Sequence, residues 1–149
     1  MNPNLPIQRI MTSEMVTAKP NDPLAVIRRI FEENKFHHIP ITGNTGELLG
    51  IVSREDYYKV AYVLSLEDAK EHFALLEAED IMTKYPLHLD PDDTIGLAAD
   101  IFLANKFHAL PIVEDGKLVG IVTSHDLLAY SYTSPVEGEF EVVEYREEG

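Results

Sequence analysis

The chain carries one stretch of sequence twice. Asn34-Lys35-Phe36-His37 recurs letter for letter as Asn105-Lys106-Phe107-His108, and the match extends outward on both sides. Upstream, Ile10-Met11-Thr12 returns as Ile81-Met82-Thr83, Pro20 as Pro91, Asp22 as Asp93 and Phe31 as Phe102, and downstream Pro40-Ile41 returns as Pro111-Ile112. At the next turn Gly43-Asn44-Thr45-Gly46 shortens to Glu114-Asp115-Gly116, and the spacing drops by one residue. Gly50-Ile51-Val52-Ser53 then answers to Gly120-Ile121-Val122-Thr123, and Asp56 to Asp126. One lost residue confined to a turn is what two copies of one fold show, because loops absorb length changes that packed elements do not. Two copies imply a pseudo-twofold axis and paired clefts. At 149 residues the halves share one compact unit rather than forming two independent domains.

Each copy reads as β-α-β-β-α. Ile-Met-Thr opens it, and a short extended stretch follows, Met15-Val16-Thr17 in the first copy and Leu87-His88-Leu89 in the second. A helix start comes next: Asn21-Asp22-Pro23 offers a capping side chain with proline at the first helical position, and Asp92-Asp93-Thr94 does the same without proline. Leu24, Ile27, Ile30 and Phe31 then share one helical stripe, as do Ile95, Ala98, Ile101 and Phe102, up to Asn34 and Asn105. Two strands joined by a glycine-bearing hairpin follow, with Pro40 and Pro111 marking an edge or a break in the ladder. A second helix starts at Ser53 and Thr123. Between the copies Tyr57, Val60, Ala61 and Leu64 form one apolar stripe. Ser65-Leu66-Glu67-Asp68 then reads as a fresh N-cap leading into Ala69, Phe73 and Leu76. These surplus faces need a cover, either the other repeat or a second subunit.

The charge balance, 26 acidic against 12 basic residues for a net of −14, repels DNA, RNA and anionic lipid. A phosphate-bearing ligand must therefore be held locally. With no cysteine there is no disulfide framework, thiolate metal site or cysteine nucleophile. No apolar run approaches the roughly 18 residues that cross a bilayer, and the N-terminus lacks a signal-peptide pattern, so a cytoplasmic location is expected. The tail over 132–149 is strongly acidic, with Phe140, Val142 and Val143 as candidates for a short strand.

Ser53-Arg54-Glu55-Asp56 and Thr123-Ser124-His125-Asp126 each sit where a strand becomes a helix. Free amides at a helix N-terminus favour a phosphate, a hydroxyl can donate to it, and an aspartate can accept from both ribose hydroxyls. The same Ser/Thr-x-x-Asp pattern is also a capping box, in which the carboxylate ties back to the cap's own amide. No nucleophile elbow, paired-acid spacing or H-E-x-x-H helix is visible. Adjacent histidines such as His37 and His38 on an extended segment point to opposite sides, which argues against metal ligation.

The ordered set of Ile-Met-Thr, helix, hydrophobic-Pro-hydrophobic strand, Gly-Ile-Val strand and Ser/Thr-x-x-Asp, found twice, resembles a CBS-domain pair, or Bateman module. The resemblance covers about 7–64 and 78–131, joined by a helical linker over 65–77. It implies an α+β fold (α/β-like) of tandem repeats with pseudo-twofold symmetry, small sheets packed against helices, and no catalytic activity. Such modules bind adenosine-containing ligands (AMP, ADP, ATP, S-adenosylmethionine, sometimes NAD or a cyclic dinucleotide) in two clefts. They assemble into flat homodimeric discs and regulate another protein, here a separate and unknown one; nucleic acid, membrane, metal and catalytic cofactor are not expected. Carried over, one cleft joins Thr123, Ser124, His125 and Asp126 to Thr12, Thr17 and the segment Phe36, His37, His38 and Ile39. The other joins Ser53, Arg54 and Asp56 to Thr83, His88 and the segment Phe107, His108, Ala109 and Leu110. Some nucleotide-sensing members place a histidine near phosphate where His37 and His108 stand, followed by an arginine. His38 and Ala109 occupy that second position here, and Arg54 or Lys106 would have to compensate in the second wall. The other reading of His37 and His108 is that they cap the preceding helix. A scaffold with empty clefts, built for dimerisation or docking, is the competing function.

Overall fold

The computed structural model describes residues 1–66, 70–105 and 107–133. Glu67 and Asp68 of the expected linker cap, Ala69, Lys106 and the tail from 134 onward lie outside the described residues. The elements are α1 (Leu24–Glu33), β1 (His38–Thr42), β2 (Leu48–Ser53), α2 (Arg54–Leu66), α3 (Lys70–Leu75), α4 (Ala78–Ile81), β3 (Thr83–Lys84), α5 (Ile95–Ala104), β4 (Ala109–Glu114), β5 (Lys117–Thr123) and α6 (Ser124–Thr133), preceded by a 3-10 turn at Ile7–Arg9. This is the α+β arrangement of two small antiparallel sheets, β1-β2-β3 and β4-β5, packed against helices.

The stripes read from the sequence face the cores. Leu24, Ile27 and Phe31 of α1 pack with Ile39, Ile41, Val52 and Tyr57, while Ile95 and Ala98 of α5 pack with Leu110, Ile112, Val122 and Leu127. Val60, Ala61, Phe73 and Leu76 fold back onto the first core, so part of the surplus helical face is covered within the chain. Asn34 and Asn105 end their helices by donating Nδ2 to the carbonyls of Ile30 (2.8 Å) and Ile101 (2.7 Å). Asp115 (φ 51°) and Gly116 (φ 77°) form the two-residue loop between β4 and β5, the positive-φ pair that matches strand twist.

Three local expectations are corrected. Pro23 is the N-cap of α1, not its first helical residue. The Asp22 carboxylate instead accepts from the Lys19 amide (2.8 Å), as its counterpart Asp93 does from Asp90 (2.8 Å), while Thr94 caps α5 through Leu97 N (3.1 Å). Ser65 lies inside α2, its hydroxyl donating to Tyr62 O (2.7 Å), because the helix runs on past the expected break. The opening extended stretches are not strands. The chain touches the sheet by one parallel bridge per copy, at Ala18, just past Met15–Thr17, to Ile41 and at Leu89 to Ile112, on the open edge beside the strand proline: Ala18 N donates to Pro40 O (3.1 Å) and Leu89 N to Pro111 O (3.0 Å).

The copies also exchange their openings. Thr12 pairs in both directions with Ile121 of β5 (2.9 Å each), and β3, which opens the second copy, pairs with β2 of the first. Ile7 is buried in the second core and Ala78 in the first. The exchange obeys the pseudo-twofold bond for bond: Ile7 N donates to Asp93 O (2.7 Å) and Ala78 N to Asp22 O (2.8 Å). Ile95 N donates to Leu5 O (2.9 Å) and Leu24 N to Leu76 O (3.3 Å), so each copy's opening satisfies an orphan amide at the start of the other copy's first helix.

Candidate functional site

The repeat motif at the head of α2 and α6 is built differently in the two copies. At α6 the box is complete: Asp126 N donates to Thr123 Oγ1 (3.1 Å) and Thr123 N to Asp126 Oδ2 (2.9 Å). At α2 only half of it forms, Asp56 N donating to Ser53 Oγ (3.0 Å), and the exposed Asp56 carboxylate takes no part. Capping and ligand contact are thus not alternatives of equal weight at both ends. One oxygen of Asp126 is already engaged, whereas Asp56 faces outward.

Two cavities of about 580 and 570 Å³ open at these helix ends, sizes typical of small-molecule sites. The first joins Thr123, Ser124, His125 and Asp126 to Thr12 and to Phe36, His37 and His38. Glu14, Met15, Val16, Lys35, Pro40 and Ile121 complete it. The second joins Ser53 and Asp56 to Thr83, Phe107, His108 and Ala109, with Ile51, Tyr85, Pro86, Leu87 and Asn105 around them. The segment exchange explains this composition. Thr12 reaches the α6 helix end because it is bridged to β5, and Thr83 reaches the α2 end because it is paired with β2. The cavities meet: His38, Ser53, Glu55 and His108 line both.

Five residues carried over from the resemblance stand apart from the cavity linings. Ile39 and Leu110 are fully buried and turn into the cores, as alternation along a strand requires. Thr17 lines neither cavity, and His88 has its Nδ1 3.3 Å from Pro86 O. Arg54 cannot serve as the compensating phosphate cation where it stands. Its guanidinium lies 2.7–2.9 Å from the carbonyl oxygens of Phe31, Asn34 and Phe36, and 5.2 Å from the Phe31 ring centroid. It clamps the C-terminal end of α1, where unpaired carbonyls and the helix dipole favour a cation. The helix-capping role considered for the histidines is therefore filled by Asn34, Asn105 and Arg54. The backbone carbonyls of His37 and His108 instead accept from Arg54 N (2.7 Å) and Ser124 N (2.9 Å), closing each strand onto its following helix.

Sequence reasoning missed Glu55, Tyr85 and the shared lining. Tyr85 follows β3 with φ 48°, a backbone conformation uncommon for a bulky residue, and it stands where the first copy has Glu14. Among the described residues, His38 is a strongly perturbed titratable group. Burial, then His37 and His108, lower its pKa from 6.5 to about 4, against a raising influence from Asp56. Among the described residues no three His, Asp or Glu side chains are grouped to hold a metal ion, and no helix is long and apolar enough to cross a membrane.

Comparison with known proteins bears on this geometry. The family model for the CBS domain matches twice, over residues 7–62 and 78–132. The uncharacterized protein MJ1426 of Methanocaldococcus jannaschii is 32% identical, with 82% of this chain and 88% of that protein covered. The inosine-5'-monophosphate dehydrogenase of Korarchaeum cryptofilum is 33% identical over 76% of this chain, which spans only 22% of the enzyme's length. Among solved structures, CBSX2 in complex with AMP superposes with a TM-score of 0.75 at 26% identity, covering 86% of this chain and 96% of that one.

Proposed function

The chain belongs to the CBS-domain family as a tandem pair, and from that premise we propose that it is a non-catalytic sensor of adenosine-containing ligands that signals to a separate protein. The ligand class is AMP, ADP, ATP or S-adenosylmethionine, and the proposed sites are the two cavities at the heads of α2 and α6. The observation that carries this reading is the pairing, in each cavity, of a Ser/Thr-x-x-Asp helix end from one copy with an extended wall from the other. Amides at a helix N-terminus suit phosphate, an aspartate suits ribose hydroxyls, and exposed Phe36 and Phe107 suit the faces of a purine. That CBSX2, a relative by fold and sequence, was crystallised with AMP supports the same class. The functional units are the repeats at 7–64 and 78–131, with 65–77 as linker and 132–149 as acidic tail, acting in the cytoplasm.

A homodimer belongs to this proposal. Tyr58 and Tyr62 on α2 are exposed, and so are Leu128 and Tyr132 at the equivalent positions of α6. An apolar pair at i, i+4 repeated on two pseudo-symmetric helices suits a twofold contact with a second copy. The same observation favours the rival reading, a scaffold whose clefts stay empty.

Thermal melting with AMP, ADP, ATP, S-adenosylmethionine and NADH separates the two. A ligand at about 100 times its Kd adds about 2.7 kcal/mol, which raises Tm by several degrees in a chain of this size. A melting point unmoved by the whole panel leaves the scaffold.

A further inference from the structure

His38 breaks the pseudo-twofold where the two cavities meet. His38 has Ala109 as its counterpart, so the second copy lacks an imidazole there. It is the first residue of β1, opposite Ser53 in the hairpin register, and it lines both cavities. Its Nδ1 is buried with no hydrogen-bond partner among the described residues. A neutral imidazole needs to place one donor, whereas the imidazolium must place two donors and a charge. Burial and the neighbouring His37 and His108 oppose that charge, and the Asp56 carboxylate favours it. The remaining titratable groups around the cavities are Glu14 from the opening segment, Lys35 before β1, Glu55 on α2, Tyr85 after β3, and His125 and Asp126 on α6. Asp126 is tied to its capping box, and Glu55 lies 3.1 Å from Lys59.

Resting on the sensing function above, we propose that His38 reads ligand charge: it takes up a proton when a phosphate-bearing adenosine ligand enters a cavity, and so favours such ligands over uncharged adenosine. A phosphate adds negative charge to that of Asp56, and an anion within a few ångströms favours the imidazolium. The sign follows. The free-state pKa is about 4 and the ligand raises it, so affinity for a phosphate ligand strengthens as pH falls through the raised value and levels off below the free-state one. Because His38 borders both cavities, one proton serves either ligand.

Titration calorimetry of the full chain at about pH 6 tests this, with AMP and with adenosine, each in two buffers of different ionisation enthalpy. Wild type is compared with His38→Gln, which keeps a polar side chain but does not titrate, and with His38→Ala, which installs the second copy's residue. The titration of free AMP is common to all three proteins, so a difference in proton uptake reports the bound states, His38 and the phosphate beside it together. Wild type is expected to take up a larger fraction of a proton with AMP than either variant, with no such difference for adenosine. The preference for AMP over adenosine should fall about tenfold in both variants, as it does when the ligand-bound pKa lies about one unit above the working pH. Equal proton uptake by wild type and variants on binding AMP overturns the role of His38 and leaves the sensing function standing. Absence of any AMP binding heat, with no melting shift, removes the sensing function and the role of His38 together.

Discussion

At the residue scale, the two copies of one motif do different work. Asp126 completes a reciprocal cap and Asp56 does not. Asp126→Ala should therefore cost about 1 kcal/mol, the usual worth of a cap, and lower Tm by about 3 °C, while Asp56→Ala stays within about 0.5 kcal/mol. Differential scanning calorimetry of the two variants checks the order; equal losses would mean that the caps are equivalent. His38 adds a pH term. Its folded pKa is about 4 against 6.5 for the free side chain, so between those values the unfolded chain binds more protons. Wild type should lose roughly 2–3 kcal/mol relative to His38→Gln as pH falls from about 7 to about 4.5, with no such gap at neutral pH. Urea melts at the two pH values measure it. The repetition of Ser/Thr-x-x-Asp was legible in the sequence, but its inequality was not. Whether a carboxylate reaches back to its cap depends on a rotamer, and Ser53 and Thr123 look alike on paper. Arg54 shows the same limit: a cation beside a helix start reads as a phosphate ligand until the preceding helix is seen to end beneath it.

At the scale of elements, the repeated Ile-Met-Thr and Gly-Ile-Val motifs turn out to be partners across the copies. A Cβ on Gly50 would stand 2.4 Å from Met82 Sδ, and one on Gly120 would stand 2.5 Å from Met11 Sδ. Glycine is required because the other copy's methionine lies flat on the strand. Either Gly→Ala change should destabilise by about 1–3 kcal/mol through overpacking. Trimming the methionine should rescue Gly120→Ala better than Gly50→Ala. The next obstacle is Thr12 O at 3.2 Å in the first case and Thr83 O at 2.9 Å in the second, and backbone yields less than a thioether. Chemical denaturation of the single and double mutants reads this directly, and equal rescue would contradict it. Helices, hairpins and core stripes were legible because periodicity is local. The exchange of opening segments was not, since a segment that pairs with its own copy or with the other has the same sequence. The expected first strand failed for a related reason: Ala18 and Leu89 touch the sheet at one point beside a proline and then leave it.

At the scale of the molecule, the exchange makes the two copies one structural unit. Thr12 and Thr83 arrive at their cavities only because each opening lies in the other copy's sheet, so neither cavity is complete within one repeat. The mismatches between copies, Glu14 against Tyr85 and His38 against Ala109, then give two cavities of unequal character. The exposed Tyr58, Tyr62, Leu128 and Tyr132 predict a twofold dimer, and sedimentation equilibrium should show twice the 16.8 kDa chain mass. Charged substitutions at Tyr62 and Tyr132 should return it to a monomer, whereas a wild-type chain that sediments as a monomer would refute the dimer. The most direct measurement is calorimetric titration of the full chain with AMP. Saturable binding is expected at two sites of different affinity per chain, with Asp56→Ala and Asp126→Ala each removing a different one. No binding, or two sites unaffected by both substitutions, would contradict nucleotide sensing in these clefts.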